Sequence, residues 1–151
     1  MSLAERITQD MTTAMKAREE LKLSTLRMVK TAIKYREVER GHALDDNEVM
    51  QVLATQIKQR EDSAAQFEQG GRPELAEKER AERVIIESYL PRALSSAEIE
   101  ATVRAAIAET GAREPKQMGA VMKAAMAKFQ AAGQRADGKL VSETAKRLLG
   151  G

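Results

Sequence analysis

The chain has 151 residues, of which 42% are apolar and 32% charged, and its formal net charge is +2. This length admits one domain or two small ones. The absence of cysteine excludes disulfides, thiolate nucleophiles and cysteine metal sites.

No segment predicts a membrane protein or a secreted one. The chain lacks a run of about 20 apolar residues, the length that a membrane-spanning helix needs. Its start, Met1 to Glu5, lacks the basic and apolar regions of a signal peptide. Together with the absence of cysteine, this predicts a cytoplasmic protein that does not bind membranes.

The composition favours helices. With two Phe, two Tyr and no Trp, the core must be built from Leu, Ile, Val, Met and Ala. An alanine-rich and charge-rich chain with three prolines is typical of a helical bundle. Alternating polar and apolar residues, the signature of a strand, are not found.

The first half of the chain reads as four helices separated by local start and stop signals. Capping boxes, each a Ser or Asp followed three residues later by Glu, begin at Ser2 and Asp45. Gly41 predicts a left-handed helix end, and Pro73 suits the first position of a helix. The predicted helices run from about Leu3 to Arg18, Leu21 to Glu39, Asp45 to Gly70 and Pro73 to Leu90.

Apolar residues at three- and four-residue spacing predict the buried faces of these helices. The charged run from Glu77 to Arg83 is predicted to form a face of salt bridges rather than a general acid/base pair. The residues expected inside are Leu3, Ile7, Met11, Ala14 or Met15, Leu26, Met28, Val29, Ile33, Val49, Val52, Leu53, Ile57, Ala64 and Phe67.

Three shorter helices are predicted after Pro91. Ser95 begins a third capping box, Gly111 ends the helix that follows, and Asp137 is the predicted N-cap of the last helix. Gly119 inside the middle helix costs about 1 kcal/mol relative to Ala, and close helix packing is the expected compensation. The residues expected to pack are Ile99, Val103, Ala106, Ile107, Met118, Val121, Met122, Ala125, Met126, Phe129, Leu140, Ala145, Leu148 and Leu149.

The sequence therefore predicts an all-α fold in two parts. A four-helix N-terminal domain covers residues 1–92, and a small three-helix C-terminal domain covers residues 93–151. The boundary lies in the segment Tyr89-Leu90-Pro91, where the proline ends the fourth helix.

Four segments carry a family resemblance: Tyr89-Leu90-Pro91, Met118-Gly119-Ala120-Val121-Met122, Gly133, and the run from Arg135 to Ser142. Together they resemble the YqeY family of small bacterial proteins over the whole chain. The C-terminal half is similar to the tail domain of GatB, a subunit of the tRNA-dependent amidotransferase. The resemblance implies a role near tRNA. The amide chemistry of that enzyme belongs to a different part of GatB and to an amidase subunit, and neither is present here.

The C-terminal part is basic. From Arg92 onward there are ten basic and six acidic residues, an excess of four positive charges. Such a region could neutralise the phosphates of tRNA or another structured RNA. The alternative is a solvated surface that keeps the domain soluble. The candidate RNA-binding residues are Lys123, Lys128, Arg135, Lys139, Lys146 and Arg147.

Recognition of the RNA backbone is the expected mode, because no aromatic residue lies between Arg135 and Arg147 to stack on a base. Arg27, Lys30 and Lys34 line up on the second helix and could extend this surface, but Glu37 and Glu39 dilute them. After Phe129 the chain has Gln130-Ala131-Ala132, a less basic corner than the family pattern.

No enzyme site is expected from the residues. His42 is the single histidine, so it forms neither a triad nor a metal site, and we predict no catalytic residue, metal or cofactor. The main function predicted is RNA interaction, as an accessory to an amidotransferase or synthetase component. A protein-interaction scaffold is the alternative, and a carbon-nitrogen ligase with glutamine as amido donor is a weaker one by family analogy. The sequence leaves the oligomeric state open.

Overall fold

The computed structural model describes residues 1–150, and this part of the chain is all-helical, as predicted. It contains seven α-helices and a short 3-10 helix, Pro115–Gln117. The α-helices are α1 Leu3–Lys16, α2 Glu20–Arg40, α3 Asp46–Gln69, α4 Pro73–Glu87, α5 Ser96–Thr110, α6 Met118–Ala131 and α7 Gly138–Leu148. No helix among residues 1–150 has the length and hydrophobicity to cross a membrane.

Local capping chemistry sets the helix ends largely where the sequence predicts them. The capping boxes at Ser2, Asp45 and Ser95 are all formed. Gly41 ends α2 in the left-handed region with φ 75°. α1 ends at Lys16 rather than Arg18, because Arg18 itself adopts a positive φ of 60° and breaks the helix.

The backbone contacts divide the chain into two compact units, Met1–Leu90 and Pro91 onward. In the first unit, α1 to α4 enclose a core centred on Ile7, Leu26, Leu53 and Ile86. The prediction that Met28 points inward is wrong, since 42% of it is exposed. It neighbours the buried Val29, and one residue along a helix is a rotation of about 100°.

The charged run of α4 forms ion pairs, as predicted, and one of them is buried. Glu82 is buried and accepts a hydrogen bond from Arg60 Nε of α3 at 3.2 Å. Arg60 Nη1 donates to the side chain of Gln56 at 2.8 Å. Desolvation raises the pKa of the neighbouring Glu79, and the charge of Glu82 adds to this effect. An ion pair therefore lies inside the contact between α3 and α4.

In the second unit, rows of residues four apart meet in one core. Val121, Ala125 and Phe129 form the row of α6, and Val141, Ala145 and Leu149 form that of α7 and its end. Against them pack Ile99, Val103 and Ala106 of α5.

Two apolar positions of this unit are misplaced by the sequence prediction. Leu140 is 37% exposed and Met126 is 39% exposed. Both lie beside a residue that is fully buried, Val141 and Ala125 respectively, so the core uses the adjacent row of each helix. Met118 and Met122 are partly buried at the margin of the core.

The packing explanation for Gly119 is also wrong. A Cβ atom at this position would meet no atom within 4 Å beyond the helix's own backbone. The glycine therefore faces open space, and helix packing does not require it.

The buried ion pair generates a stability prediction. Replacing Arg60 by Met should lower the free energy of unfolding by about 3–5 kcal/mol, because Glu82 would remain buried without its partner. Combining Arg60→Met with Glu82→Leu removes both charges and should recover most of that loss. Urea unfolding followed by circular dichroism measures both variants.

Arg80→Met is the matched control, since Arg80 pairs with Glu68 on the surface. It should cost less than about 1 kcal/mol. An Arg60→Met variant as stable as this control would show that the buried pair does not constrain the fold.

Candidate nucleic-acid interface

The six predicted RNA-binding residues lie on α6, on α7 and in the loop between them. Lys123 and Lys128 belong to α6, Arg135 to the loop, and the other three to α7. Because Val121 and Ala125 face the core, Lys123 projects from the far side of α6 and is exposed. Lys128, at the flank of the same helix, is half-buried.

Acidic residues of α5 hold two of the six cations. Lys128 Nζ lies 2.7 Å from Glu109 Oε2, and Arg147 Nη2 donates to Glu100 Oε1 at 2.8 Å. Nine residues of helix, about 13 Å along the axis, separate the two glutamates. The six cations therefore do not form one cluster, because two of them are fixed near different ends of α5.

Arg135 also has a structural role. Its carbonyl oxygen accepts a hydrogen bond from the backbone N–H of Leu94 at 3.1 Å, next to an isolated parallel bridge between Ala93 and Arg135. This bond ties the segment that precedes α5 to the loop between α6 and α7. Arg135 is half-buried.

The remaining cations are exposed. Lys123, Lys139 and Lys146 are exposed and form no ion pair with any residue between 1 and 150. Lys139 and Lys146 are seven residues apart, about two helical turns, so they share the outer face of α7. Glu143 is exposed between them in sequence and offsets part of their charge.

The start of α7 is already occupied by an anion. Asp137 Oδ1 accepts a hydrogen bond from the backbone N–H of Lys139 at 2.9 Å, which confirms the predicted N-cap. A phosphate at this helix end would meet the carboxylate first. The cations on the helix surface are therefore the better phosphate ligands.

The pairing of Arg147 has an electrostatic effect. Its hydrogen bond lowers the pKa of Glu100, and Arg104, which lies 3.4 Å from the same oxygen, adds to the effect. The sequence did not reveal that Glu100 and Glu109 pair with cations of α7 and α6, because the partners are distant in the chain. Glu100 and Arg147, for example, are 47 residues apart.

The described residues offer no metal centre. Among residues 1–150 no group of three or more His, Asp or Glu side chains could hold an ion. His42 is exposed, and its Nε2 lies 4.0 Å from Glu48 Oε2.

Comparison with known proteins gives a family match and several relatives. The family model of Yqey-like proteins matches residues 4–149. "Altered inheritance of mitochondria protein 41, mitochondrial" of Kluyveromyces lactis is 37% identical over 111 residues, covering 71% of this chain and 60% of the relative. Its namesake in Clavispora lusitaniae is 36% identical over 89 residues, covering 59% and 52%. That of Lachancea thermotolerans is 33% identical over 110 residues, covering 71% and 59%.

These matches correct the predicted location and limit what can be transferred. The relatives are named as mitochondrial proteins, which points to the mitochondrion, so the cytoplasmic prediction is wrong. The absence of cysteine excludes disulfides but does not distinguish one reducing compartment from another. The matched region spans about half to three fifths of the length of these curated relatives.

The contact between Arg147 and Glu100 generates a pH prediction. Replacing Arg147 by Ala should raise the pKa of Glu100 toward its usual 4.5, because the hydrogen bond that favours the carboxylate is lost. A carboxyl NMR titration measures the change. The lowered pKa implies stability that is present above about pH 4.5 and is lost as the pH falls through the folded-state pKa.

Arg104→Ala is the control for this titration and should move the pKa of Glu100 less, since its interaction with Glu100 is the weaker one. An unchanged Glu100 titration in the Arg147 variant would contradict the contact.

Proposed function

The chain belongs to the YqeY family, and from this premise we propose that it is a non-catalytic RNA-interacting protein. In this proposal the second unit binds the phosphate backbone of tRNA or another structured RNA. Support comes from Lys123, Lys139 and Lys146, which are exposed and have no acidic partner among residues 1–150. The similarity to the GatB tail domain points to the same class of ligand.

The mode of binding follows from the side chains available. Phe129 is the only aromatic residue after Leu90, and it is 2% exposed in the core. Stacking on bases is therefore unavailable to this unit, and cations must contact phosphates. Lys128 and Arg147 are secondary contributors, because each would have to exchange a glutamate for a phosphate.

The partners are part of the same proposal. In this proposal the chain acts as an accessory, and the sequence resemblance to the GatB tail domain makes an amidotransferase or synthetase component the proposed protein partner. The names of the relatives support a mitochondrial setting for this role.

The proposal also includes two independently folding domains, of four helices over residues 1–92 and three over residues 93–151. Each unit has a hydrophobic core of its own. Expressed separately, each segment should be helical by circular dichroism and melt cooperatively. A segment 93–151 that shows no cooperative transition would contradict the division.

Salt dependence tests RNA binding. Replacing Lys123, Lys139 and Lys146 together by Ala should lower the slope of log affinity for bulk tRNA against log salt by about 2 to 3, because three phosphate contacts are lost. Filter binding between about 50 mM and about 200 mM salt measures the slope.

The matched control replaces Lys16, Lys58 and Lys78, three exposed lysines of the first unit, and changes the net charge equally. This control should keep most of the wild-type slope. Equal losses in the two triple variants would show non-specific attraction, and no tRNA binding at low salt would overturn the proposal.

A further inference from the structure

A second cationic surface lies on the outer face of α2. Leu26, Val29 and Ile33 face the core of the first unit. The opposite side of this helix carries exposed residues at three- and four-residue spacing. We call this surface the α2 outer face and define it as Arg27, Lys30, Thr31, Lys34, Tyr35 and Val38.

Its three cations have no acidic partner. Arg27, Lys30 and Lys34 are exposed and form no ion pair with any residue between 1 and 150. Arg27 and Lys34 are seven residues apart, or about 10 Å along the helix axis. The face therefore presents a short row of unpaired positive charges.

Glu37 and Glu39, which the sequence analysis expects to dilute this row, form no ion pair with its cations. Glu37 is half-buried, and its Oε2 accepts a hydrogen bond from the backbone N–H of Leu44 at 3.4 Å. Glu39 is paired with Arg36 at 3.4 Å. Both glutamates thus have partners outside the face.

An exposed aromatic residue stands at one end of the row. Tyr35 is 73% exposed, and Val38 is 75% exposed. The contrast is Tyr89, which is buried and donates its hydroxyl to Asp10 Oδ2 at 2.6 Å. Tyr35 therefore contributes little to the core, and its ring is available to a ligand.

Tyr35 forms a wall shared by two shallow depressions. One, of about 220 Å³, is lined by Thr31, Lys34, Tyr35 and Val38. The other, of about 310 Å³, lies between α2 and α3, where Gln51, Thr55 and Gln56 line it. Arg36 and its ion-pair partner Glu39 also line the second depression. A flat group on the ring would therefore have Lys34 on one side and amide side chains beside this ion pair on the other.

We propose that the α2 outer face binds unpaired nucleotides of an RNA strand. The ring of Tyr35 stacks on a base, as exposed aromatic residues do in proteins that bind single strands. Arg27, Lys30 and Lys34 contact the adjoining phosphates. The amides in the groove can donate to and accept from base edges.

The balance of charge and apolar surface favours RNA over a protein partner. A protein interface of ordinary strength needs a wide apolar centre. Here the large apolar side chains are limited to Tyr35 and Val38, with Met28 at the margin, while all three charges are positive. This site goes beyond the backbone contact proposed for the second unit, which has no exposed aromatic residue.

The test uses the full chain and two probes, an unpaired oligouridylate of about 15 nucleotides and a blunt RNA duplex. Fluorescence anisotropy measures their affinities at about 50 mM and about 200 mM salt. Replacing Arg27, Lys30 and Lys34 by Ala should weaken oligouridylate binding at least tenfold and lower its salt slope by about 2. Tyr35→Ala should weaken it about tenfold, whereas Tyr35→Phe should bind as wild type does.

Two triple variants make failures distinguishable. Lys16, Lys58 and Lys78 to Ala should leave oligouridylate binding nearly unchanged. Replacing Lys123, Lys139 and Lys146 by Ala should reduce duplex binding but not oligouridylate binding. A loss of duplex binding alone would therefore report on the site proposed for the second unit.

Three outcomes would overturn the inference. In the first, oligouridylate does not bind the wild-type chain. In the second, the Tyr35→Ala variant binds oligouridylate as tightly as wild type does. In the third, the Lys16, Lys58 and Lys78 variant loses as much affinity as the Arg27, Lys30 and Lys34 variant. Binding of an acidic amphipathic peptide that depends on Arg27 and Lys34, without oligouridylate binding, would instead identify a protein partner. Circular dichroism confirms that each variant remains helical.

Discussion

The rotation of each helix about its axis is the constraint on which the charged surfaces depend. In the second unit, buried rows four residues apart set this rotation, such as Val121, Ala125 and Phe129 in α6. A shift by one residue turns a helix by about 100° and would carry a different set of charges to the surface. The core therefore determines which lysines face solvent, even though no lysine belongs to it.

Features that depend on neighbouring residues were predictable from the sequence. A capping box is a contact over three residues, and Gly41 reaches its left-handed conformation through its own backbone. The choice between adjacent apolar rows was less predictable, because Leu140 and Val141 are both hydrophobic. Only packing against other helices decides which is buried. The same applies to Glu82, whose partner Arg60 is 22 residues away.

The candidate sites show the limits of counting charges. The sequence identifies each basic residue, but the fold decides whether an acid reaches it. Glu100 and Glu109 of α5 form ion pairs with Arg147 and Lys128, respectively. On α2 the acids Glu37 and Glu39 have partners outside the face, and the three cations there form no ion pair. Two cations of the predicted surface are thus paired with acids, whereas Arg27, Lys30 and Lys34 are not.

Stability alone does not account for these unpaired cations. Exposed ion pairs contribute about 0–1 kcal/mol, so folding neither requires nor forbids partners for them. Three cations on one face also make a weak contact by themselves, since each phosphate contact is lost readily to salt. Tyr35 is exposed on the α2 outer face, whereas Phe129 of the second unit is buried, so an aromatic ring is available for stacking on one surface and not on the other.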